Sequence, residues 1–415
     1  MFPTGFSVPY GDDYLRIEDL KATVLTPKPV LKPRDEVAIV AQSLESPIGT
    51  EDLGRLVSTK SKIALIVSDI TRPCPTNKIA PIVISKLLSY GISKENIVIV
   101  FATGIHRPHT RDEWIKLLGS EIVNNFRILD HDCRDVNSLT YVGKTSRGTP
   151  VVINSSILNS DVKIAIANVD PHYFAGYSGG GKSILPGVSS YESIKENHRM
   201  MLLPGAELGR IEGNPVREDI EEAASMVGLD YIVNVVLSER KEILGCFSGH
   251  FIKAHREAVK MFNELYGVNV GRKFDIVIAS PGGYPKDINL YQAHKALEVA
   301  FKCVRPGGVI ILLAECREGI GESKTEELLY SNLTPEDVIN FIKENFDLGY
   351  HKAYAIARIA AKARIVIVSN NIKESKLYEK VGNVEKAIKY AYDLIGDGDV
   401  LLLPYASSMI PKDLI

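Results

Sequence analysis

Thirty residues near the middle of the chain combine a flexible backbone with side chains that can do chemistry. The stretch from Val169 to His198 contains several glycines, His172 and Lys182, and it lies between an apolar run and a predicted helix. Burial beside a desolvated loop lowers the pKa of a lysine, and the free lone pair then allows covalent anchoring of a cofactor. His198, near the end of the predicted helix, is compatible with a metal ligand or a surface residue. The stretch therefore predicts a site for covalent or metal-assisted chemistry.

The segment GYSGGGKS, from Gly176 to Ser183, also fits the phosphate-loop pattern G-x-x-x-x-G-K-[ST]. In a phosphate loop the backbone N–H groups surround a phosphate, and a helix begins directly behind the lysine. Here Pro186 and Gly187 follow soon after Lys182 and would stop such a helix in its first turn. A nucleoside triphosphatase therefore remains an alternative of a different class, and a cofactor carrier without turnover is another.

Two shorter loops carry reactive side chains directly after predicted buried strands. The run Asp69, Ile70, Thr71, Arg72 follows the apolar residues 62–67, and the motif ATGIHR, which contains His106, follows residues 96–101. Loops at the carboxyl ends of parallel strands form the ligand site of an open α/β sheet, so we expect both loops at one site. The guanidinium of Arg72 can form paired hydrogen bonds with phosphate or carboxylate, although a salt-bridged turn explains these residues equally well.

The spacing of His106 and His109 would also suit a zinc site. Neighbouring prolines, the absence of a predicted helix and the lack of a nearby cysteine disfavour shared coordination by these two rings. A zinc hydrolase is therefore an alternative that the motif does not favour.

The elements that position these loops follow an alternating pattern of strands and helices. In both halves of the 415-residue chain, this pattern predicts an α/β fold with two domains. We expect a largely parallel sheet flanked by helices in each domain and an active site in the cleft between them. Residues 1–268 form the predicted N-terminal cofactor-binding and catalytic domain, with the tail 404–415 as a segment that can pack back on it. Residues 269–403 form the predicted C-terminal α/β domain, which contributes substrate contacts.

Three helix predictions concern polar residues. A helix from about Tyr291 to Cys303 places Gln292 and Lys295 on one face, where an amide and an ammonium can hold a small carboxylate. A solvated helix face is the competing interpretation of this pair. Two more assignments concern the region after the glycines: Ser189 and Glu192 form a predicted capping box for a helix over 191–200, and His255 lies on the surface of a helix over 251–266.

The bulk properties exclude several classes of protein. The net charge of −2 gives no reason to expect nucleic acid or an anionic membrane as a partner. No apolar run approaches the ~20 residues of a membrane span, and we expect no signal peptide at the N-terminus. Five cysteines without a C-x-x-C pair are typical of free thiols in a reducing compartment, so we predict a cytoplasmic protein.

These stretches resemble the nickel-dependent lactate racemase family, whose members are nickel-pincer nucleotide-dependent 2-hydroxyacid racemases and epimerases. The similarity runs over most of the chain and rests on the glycine-rich stretch, the D-x-T-R loop and the A-T-G-x-H-R loop. The resemblance implies that Lys182 is covalently linked to the nickel-pincer nucleotide as a thioamide and that His198 is the protein ligand to nickel. It also implies that His106 and His172 are the paired catalytic acid–base residues.

The remaining site residues also follow from this resemblance. Asp69, Ile70, Thr71 and Arg72 match the stretch that binds the cofactor nucleotide, and Arg72, Gln292 and Lys295 would hold the substrate carboxylate. The implied partners are a small 2-hydroxy acid and the enzymes of cofactor biosynthesis, and a homo-oligomer stays open.

The chemistry of the implied reaction is consistent with these residue types. Racemisation of a 2-hydroxy acid breaks a C–H bond beside a carboxylate, and removal of hydrogen as hydride avoids a carbanion next to that negative charge. No natural side chain accepts a hydride, so a cofactor must do so. Hydride returned to the opposite face of the planar keto acid gives the other enantiomer, so two bases are useful, one for each enantiomer of the substrate. Histidine suits this role because its ordinary pKa is ~6.5.

One position bears on the substrate. His351 stands near the place where lactate-specific members of the resembled family carry tryptophan, and an imidazole there changes the shape and polarity of a pocket. We therefore expect lactate or a related, larger hydroxy acid, with malate or an aryl or alkyl 2-hydroxy acid as alternatives.

Overall fold

The computed structural model describes residues 5–28 and 35–415, in which strands and helices alternate. The strands are, in chain order, β1 (Gly5–Tyr10), β2 (Asp13–Glu18), β3 (Thr23–Val24), β4 (Ile63–Ser68), β5 (Ile97–Ala102), β6 (Arg127–Asp130), β7 (Leu139–Lys144), β8 (Pro150–Asn154), β9 (Val162–Asn168), β10 (Pro171–His172), β11 (Gly176–Tyr177), β12 (Tyr231–Leu237), β13 (Ile243–Gly249), β14 (Gly267–Val268), β15 (Phe274–Ala279), β16 (Val304–Leu313), β17 (Arg364–Val368), β18 (Glu379–Val381), β19 (Val400–Leu403) and β20 (Ile410–Pro411).

The helices are, in chain order, α1 (Glu36–Glu45), α2 (Leu53–Leu56), α3 (Thr76–Ser89), α4 (Arg111–Leu118), α5 (Ser120–Asn125), α6 (Ser155–Leu158), α7 (Tyr191–Arg199), α8 (Pro215–Val227), α9 (Lys253–Tyr266), α10 (Leu290–Cys303), α11 (Ser323–Leu329), α12 (Pro335–Glu344), α13 (His351–Ala360) and α14 (Val384–Ile395). In the described part of the chain, none of these helices has the length and apolar character that crossing a membrane requires. The chain divides into two compact units: a central unit, Val30–Glu264, and a terminal unit, Met1–Pro29 with Leu265–Ile415.

A six-stranded sheet with the order β13-β12-β9-β4-β5-β6 forms the centre of the central unit. The strands from β12 to β6 run parallel, and β13 pairs antiparallel with β12 at one edge. Strands β4, β5 and β9 are almost continuous apolar runs, as expected for parallel strands that are covered on both faces. Their registers are aligned, since Ser68 pairs with Ala102 and Val67 with Ile166. The loops after these three strands therefore leave the sheet at the same edge.

The core of the central unit holds these strands in place. Val40 of α1 and Val83 of α3 belong to one buried hydrophobic cluster with Leu65, Ile99 and Ile164 of the sheet. Complete burial of a side chain of this size contributes roughly 1.5–3 kcal/mol. The positions of the strand ends are therefore fixed by many independent contacts.

The terminal unit contains a second six-stranded sheet, with the order β18-β17-β16-β15-β19-β3 and all pairs parallel. Helices α10, α13 and α14 pack against its strands. Two largely parallel sheets flanked by helices confirm the predicted α/β class.

Both ends of the chain belong to the terminal unit. The prediction instead placed the N-terminal residues with the rest of 1–268 and ended the second domain at residue 403. Strand β3 pairs with β19, and the hairpin β1–β2 contributes Val8 and Ile17 to the same hydrophobic core as Leu402. In the tail, β20 pairs with β14. Strands of two residues carry no periodic signal, so the sequence could not assign them to a sheet.

The start of α7 is as predicted, but its cap is not the predicted residue. Ser190 is the N-cap, and its hydroxyl accepts a hydrogen bond from the Ser193 N–H at 3.2 Å. The hydroxyl of Ser189 instead donates to the Ile184 carbonyl at 2.7 Å and is buried. Only Ser189 has a glutamate three residues later, so the capping-box pattern favours the wrong one of two adjacent serines.

Candidate active site

Three loops that carry predicted site residues meet at one edge of the central sheet. The loop with Asp69 follows β4, the loop with His106 follows β5, and the glycine-rich stretch follows β9. The backbone N–H of Gly104 donates to the Gly187 carbonyl at 2.9 Å, which joins the second loop to the third. Gly104 has a positive φ of 56°, a conformation that other residues rarely adopt. The edge therefore forms the ligand side of an open α/β sheet.

Asp69 is paired with the predicted base His106. Its Oδ2 lies 3.2 Å from His106 Nδ1, and its Oδ1 accepts the backbone N–H of Thr71 at 2.7 Å. Arg72 Nε lies 3.8 Å from the same Oδ2. Burial by itself raises the pKa of Asp69, but the hydrogen bond with His106 and the charge of Arg72 lower it to about 2. The carboxylate is therefore ionised at neutral pH and holds one nitrogen of the His106 ring.

The second histidine of this loop does not act as a metal ligand in this structure, because both of its ring nitrogens are hydrogen-bonded to protein groups. His109 Nε2 accepts the backbone N–H of Ile70 at 3.0 Å, and Nδ1 lies 2.5 Å from Asp130 Oδ1. Among residues 5–28 and 35–415, no group of three or more histidine, cysteine, aspartate or glutamate side chains is arranged to hold a metal ion. The geometry gives the zinc alternative no support.

The buried ring of Phe174 gathers three of the predicted residues. His172 packs against it edge-on with ring centroids 4.5 Å apart, and His198 does so at 5.0 Å. The Lys182 Nζ lies 5.8 Å from the centre of the same ring. Phe174 was not among the predicted site residues, because an aromatic residue beside histidine carries no chemical signal in a sequence. The structure thus brings together His172, Lys182 and His198, as the prediction required.

The surroundings of Lys182 and His198 favour the neutral form of both side chains. Burial, and then the charges of Arg217 and Arg72, lower the pKa of Lys182 well below its ordinary value. Burial lowers the pKa of His198 to about 3. A neutral amine is nucleophilic, and a neutral imidazole can bind a metal. Among the described residues, His198 Nδ1 is a buried atom without a hydrogen-bond partner, which is unusual in a protein interior.

His172 is held in a short antiparallel hairpin, in which β10 pairs with β11. Its Nδ1 accepts the backbone N–H of Ala175 at 3.3 Å. In the neutral ring the proton therefore lies on Nε2, and the hairpin fixes the direction in which that nitrogen points.

A buried arginine that the sequence did not single out holds the glycine-rich stretch. Arg217 of α8 is fully buried, and its guanidinium donates to the carbonyls of Ala175, Tyr177 and Gly179. Burial, opposed by the charge of Glu221, lowers its pKa to about 10, so it remains charged at neutral pH. Only the tertiary fold reveals this role, because Arg217 lies on an amphipathic helix whose pattern predicts a surface position for a charge.

The prediction that His255 lies on the surface is wrong. The residue is fully buried, and its Nε2 donates to the Ser178 carbonyl at 2.8 Å while Nδ1 accepts from Arg256 Nη1 at 3.1 Å. Burial and the nearby charge of Arg217 lower its pKa well below the ordinary value. A helical periodicity cannot distinguish a buried polar residue with satisfied hydrogen bonds from a solvated one.

The glycine-rich stretch does not have the geometry of a phosphate loop. The N–H of Gly180 donates to Asn234 Oδ1 at 2.8 Å, and that of Ser178 donates to the Asp170 carbonyl at 2.8 Å. A single 3₁₀ turn covers Gly180–Ser183, and the next α-helix begins only at Tyr191. Because these amides already have protein acceptors and no helix begins behind the lysine, the structure disfavours the phosphate-loop interpretation.

In the terminal unit, Gln292 and Lys295 lie on α10, as predicted. Lys295 is exposed and Gln292 is half-buried. The neighbouring Tyr291 hydroxyl lies 3.3 Å from His351 Nε2, and the Gly349 N–H donates to His351 Nδ1 at 3.2 Å. His351 therefore contacts the residue next to Gln292, where a change of side chain alters the surroundings of the predicted substrate contacts.

An amine and two imidazoles grouped beside the carboxyl ends of parallel strands are typical of the active site of an α/β enzyme. The family model of the lactate racemase N-terminal domain matches residues 10–209, and that of the lactate racemase C-terminal domain matches residues 270–410. The chain belongs to the lactate racemase family, and it is a racemase or epimerase.

Individual relatives support this assignment. The lactate racemases of Thermoanaerobacterium thermosaccharolyticum and Lactiplantibacillus plantarum are 33% and 34% identical to the chain, and each alignment covers 91% of both sequences. The lactate racemase apoprotein structure from T. thermosaccharolyticum superposes with a TM-score of 0.90 at 31% identity, over 98% of this chain and 99% of that one. A structure of a Thermotoga maritima protein, 18% identical with a TM-score of 0.62, covers 89% of this chain and 96% of its own and supports the fold alone.

Proposed function

We propose that the protein racemises or epimerises a 2-hydroxy acid, lactate or a related larger acid, with a nickel-pincer nucleotide linked to Lys182. The observation that carries this proposal is the grouping of a neutral amine, a neutral imidazole and His172 around Phe174. Membership of the lactate racemase family supports the reaction class. Sequence identity of about one third to lactate racemases leaves room for a different hydroxy acid.

The residues around Phe174 fit the cofactor. The lowered pKa of Lys182 raises the fraction of neutral, nucleophilic amine that can attack a carboxyl-type carbon. His198 offers an unprotonated ring, and imidazole is a suitable ligand for nickel. Arg72 contributes to the lowered pKa values of both residues, so its charge acts at the same place and suits the phosphate of a nucleotide. When bound, the cofactor would supply the acceptor for the hydride that leaves the substrate.

The chain's own residues would manage the protons. We propose that His106 takes or returns the hydroxyl proton at Nε2, because Asp69 holds Nδ1 and stabilises the ring when it is charged. We propose that His172 is the acid–base residue for the other enantiomer, and its ring must release the Ala175 N–H from Nδ1 before Nε2 can take a proton. The contacts of Asp69 favour this positioning role over the nucleotide contact that the resemblance implied.

Substrate binding would use a second group of residues. Arg72, whose side chain is half-exposed, can form a paired hydrogen bond with the substrate carboxylate. His351 contacts Tyr291 beside Gln292, and we propose that it helps to set the size of substrate that fits.

The substrate class is tested by incubating cofactor-loaded protein with single enantiomers of lactate, malate and aryl and larger alkyl 2-hydroxy acids. Each is used unlabelled and deuterated at C2, and the enantiomers are separated by chiral chromatography. We expect inversion of at least one acid with a primary isotope effect, because the C–H bond breaks during turnover. The proposal fails if loaded protein inverts none of them, or if magnesium-dependent ATP hydrolysis is the activity that depends on Lys182.

The nickel ligand is tested separately from turnover. We expect His198→Ala to lower the nickel content of the loaded protein from near-stoichiometric to a small residual fraction, because it removes the proposed protein ligand. The covalent adduct on Lys182 should persist, as measured by intact mass, while elemental analysis reports the metal. His250→Ala, a change of another partly buried histidine, serves as the control and should retain nickel. Full nickel content in His198→Ala would exclude it as the ligand.

A further inference from the structure

Asp130, His109 and the backbone of Ile70 form a buried chain of hydrogen bonds beside the site. Asp130 Oδ1 lies 2.5 Å from His109 Nδ1, and His109 Nε2 lies 3.0 Å from the Ile70 N–H. The side chain of His109 is 1% exposed and that of Asp130 is 11% exposed. The ring also packs on Phe101 of β5, with centroids 4.4 Å apart. This imidazole is therefore fixed in place by contacts on several sides.

The partners of His109 determine which of its nitrogens carries the proton. A backbone N–H only donates, so Nε2 must accept from Ile70 and cannot itself be protonated. The proton of the neutral ring then lies on Nδ1 and is donated to the Asp130 carboxylate. The second oxygen of Asp130 accepts two further hydrogen bonds, from the His109 N–H at 2.9 Å and from Trp114 Nε1 at 3.2 Å. The carboxylate is thus oriented by three donors.

We propose that Asp130 and His109 are positioning residues that hold the Asp69–Arg72 loop in the geometry the reaction needs. This inference rests on the proposed function of that loop. Ile70 lies between Asp69, which pairs with His106, and the Arg72 that acts on Lys182 and His198. The hydrogen bond between the Ile70 N–H and His109 therefore restrains the loop that positions both the base His106 and the cation Arg72. In the described hydrogen bonds, the side chains of Asp130 and His109 contact neither His106 nor Arg72.

An isosteric change tests this relay directly. In Asp130→Asn, the amide oxygen stays with the two donors, the His109 N–H and the Trp114 indole, because an NH₂ group there would face two other donors. The amide nitrogen then faces His109 Nδ1 and donates to it. The ring proton must move to Nε2, where it opposes the Ile70 N–H. The substitution keeps the shape of the side chain but replaces an attractive contact of the loop with a repulsive one.

The first experiment uses protein without cofactor, so that its result does not depend on turnover. Nitrogen-15 labelled histidine reports the protonated ring nitrogen by NMR, and the His109 signals are those missing from His109→Leu. We expect protonation at Nδ1 in the unmodified protein and at Nε2 in Asp130→Asn, together with a shift of the Ile70 amide signal. An unchanged tautomer, or an unchanged Ile70 amide, would overturn the relay.

The second experiment measures turnover of the loaded enzyme in a double-mutant cycle. We expect Asp130→Asn to lower kcat/KM about 10- to 100-fold, the range found when outer partners of a site are removed. In the His109→Leu background the same change should cost little, because no ring remains to transmit it. Equal costs in both backgrounds would indicate a merely structural role for Asp130 and contradict the proposal. Asp132→Asn, at a neighbouring exposed carboxylate, is the matched control and should leave kcat/KM unchanged.

The two experiments separate this inference from the proposed function. If the tautomer and the Ile70 amide shift as expected while the loaded protein inverts no hydroxy acid, the relay stands and the proposed reaction is wrong. If hydroxy acids are inverted normally by Asp130→Asn, the relay does not control the base and the inference is wrong.

Discussion

Protein in which Lys182 is replaced by alanine carries no covalent cofactor and shows no racemisation above the level of cofactor-free protein. This is the largest effect that we expect from a single substitution, because the amine nitrogen forms the bond to the thiocarboxyl carbon, with loss of water, when the thioamide is made. Intact mass measures the adduct after the protein is supplied with the nickel-pincer nucleotide, and chiral chromatography measures turnover. Lys182→Arg should fail in the same way, since a guanidinium keeps its charge at any working pH.

The control for this prediction lies on the helix that carries His198. Lys195→Ala removes the lysine of α7 and should leave the adduct mass unchanged. A full adduct in Lys182→Ala would show that a different nucleophile carries the cofactor. Equally, an adduct on Lys182 without any inversion of hydroxy acids would favour the alternative of a cofactor carrier without turnover.

The lowered pKa of Lys182 also leads to a prediction about how the rate of adduct formation depends on pH. An ordinary lysine amine has a pKa of about 10.4, and its neutral fraction falls roughly tenfold for each pH unit below that value. Burial and the charges of Arg217 and Arg72 lower the pKa of Lys182 well below that value. We therefore expect the rate of adduct formation to stop rising at a pH well below the ~10.4 of an ordinary lysine. A tenfold rise per pH unit that continues to about pH 10 would contradict this prediction.

The strand ends of the central unit could be predicted from the sequence because they combine two strong signals. Apolar runs mark β4, β5 and β9, and reactive side chains follow each run directly. The rule that parallel strands place their carboxyl ends at one edge then brings Asp69, His106 and Lys182 to the same side of the sheet. The division of the chain ends was not predictable in this way, because β3 and β20 are two-residue strands without periodicity.

What the sequence could not provide was the set of buried polar residues that hold the loops. Arg217 and His255 lie on helices whose patterns are compatible with solvent, yet both are fully buried and bind carbonyls of the glycine-rich stretch. His109 was considered only as a metal ligand, and its contact with Ile70 depends on a strand pairing that brings residues 39 apart together. Such roles arise from tertiary contacts and leave no local pattern.

The phosphate-loop motif illustrates the difference between a pattern and its surroundings. Gly176 to Ser183 matches the motif in every position, but the amides that would cradle a phosphate have protein acceptors such as Asn234. Arg217 donates hydrogen bonds to backbone carbonyls of the glycine-rich stretch, and its charge also lowers the pKa of Lys182. Arg217 therefore both restrains this stretch and favours the neutral form of Lys182, which supports the proposed anchor role.

The pairing of Asp69 with His106 leads to the second large effect. Burial raises the pKa of Asp69, but His106, Arg72 and Thr71 together lower it to about 2, below the ~3.9 of an unfolded chain. The folded state is therefore stabilised by about 2 kcal/mol above pH ~4, and this contribution is lost as the pH falls through about 2. At neutral pH the carboxylate is charged, so it favours the His106 proton on Nδ1 and leaves Nε2 unprotonated, as the proposed reaction requires.

Asp69→Asn should remove this control without removing the ring. The amide oxygen would still accept the Thr71 N–H, and the amide nitrogen would donate to His106 Nδ1. The ring proton would then move to Nε2, so this nitrogen could no longer accept a proton. We expect kcat to fall about 10³- to 10⁴-fold, as found when the orienting carboxylate of a catalytic histidine is replaced by its amide, and His106→Ala to lower it about 10²- to 10⁴-fold. Intact mass decides between the two roles of Asp69: an unchanged adduct with low kcat supports the positioning role, whereas loss of the adduct would indicate that Asp69 binds the nucleotide instead. Arg107→Ala, at an exposed neighbour that pairs with Glu113, is the control and should retain both adduct and turnover.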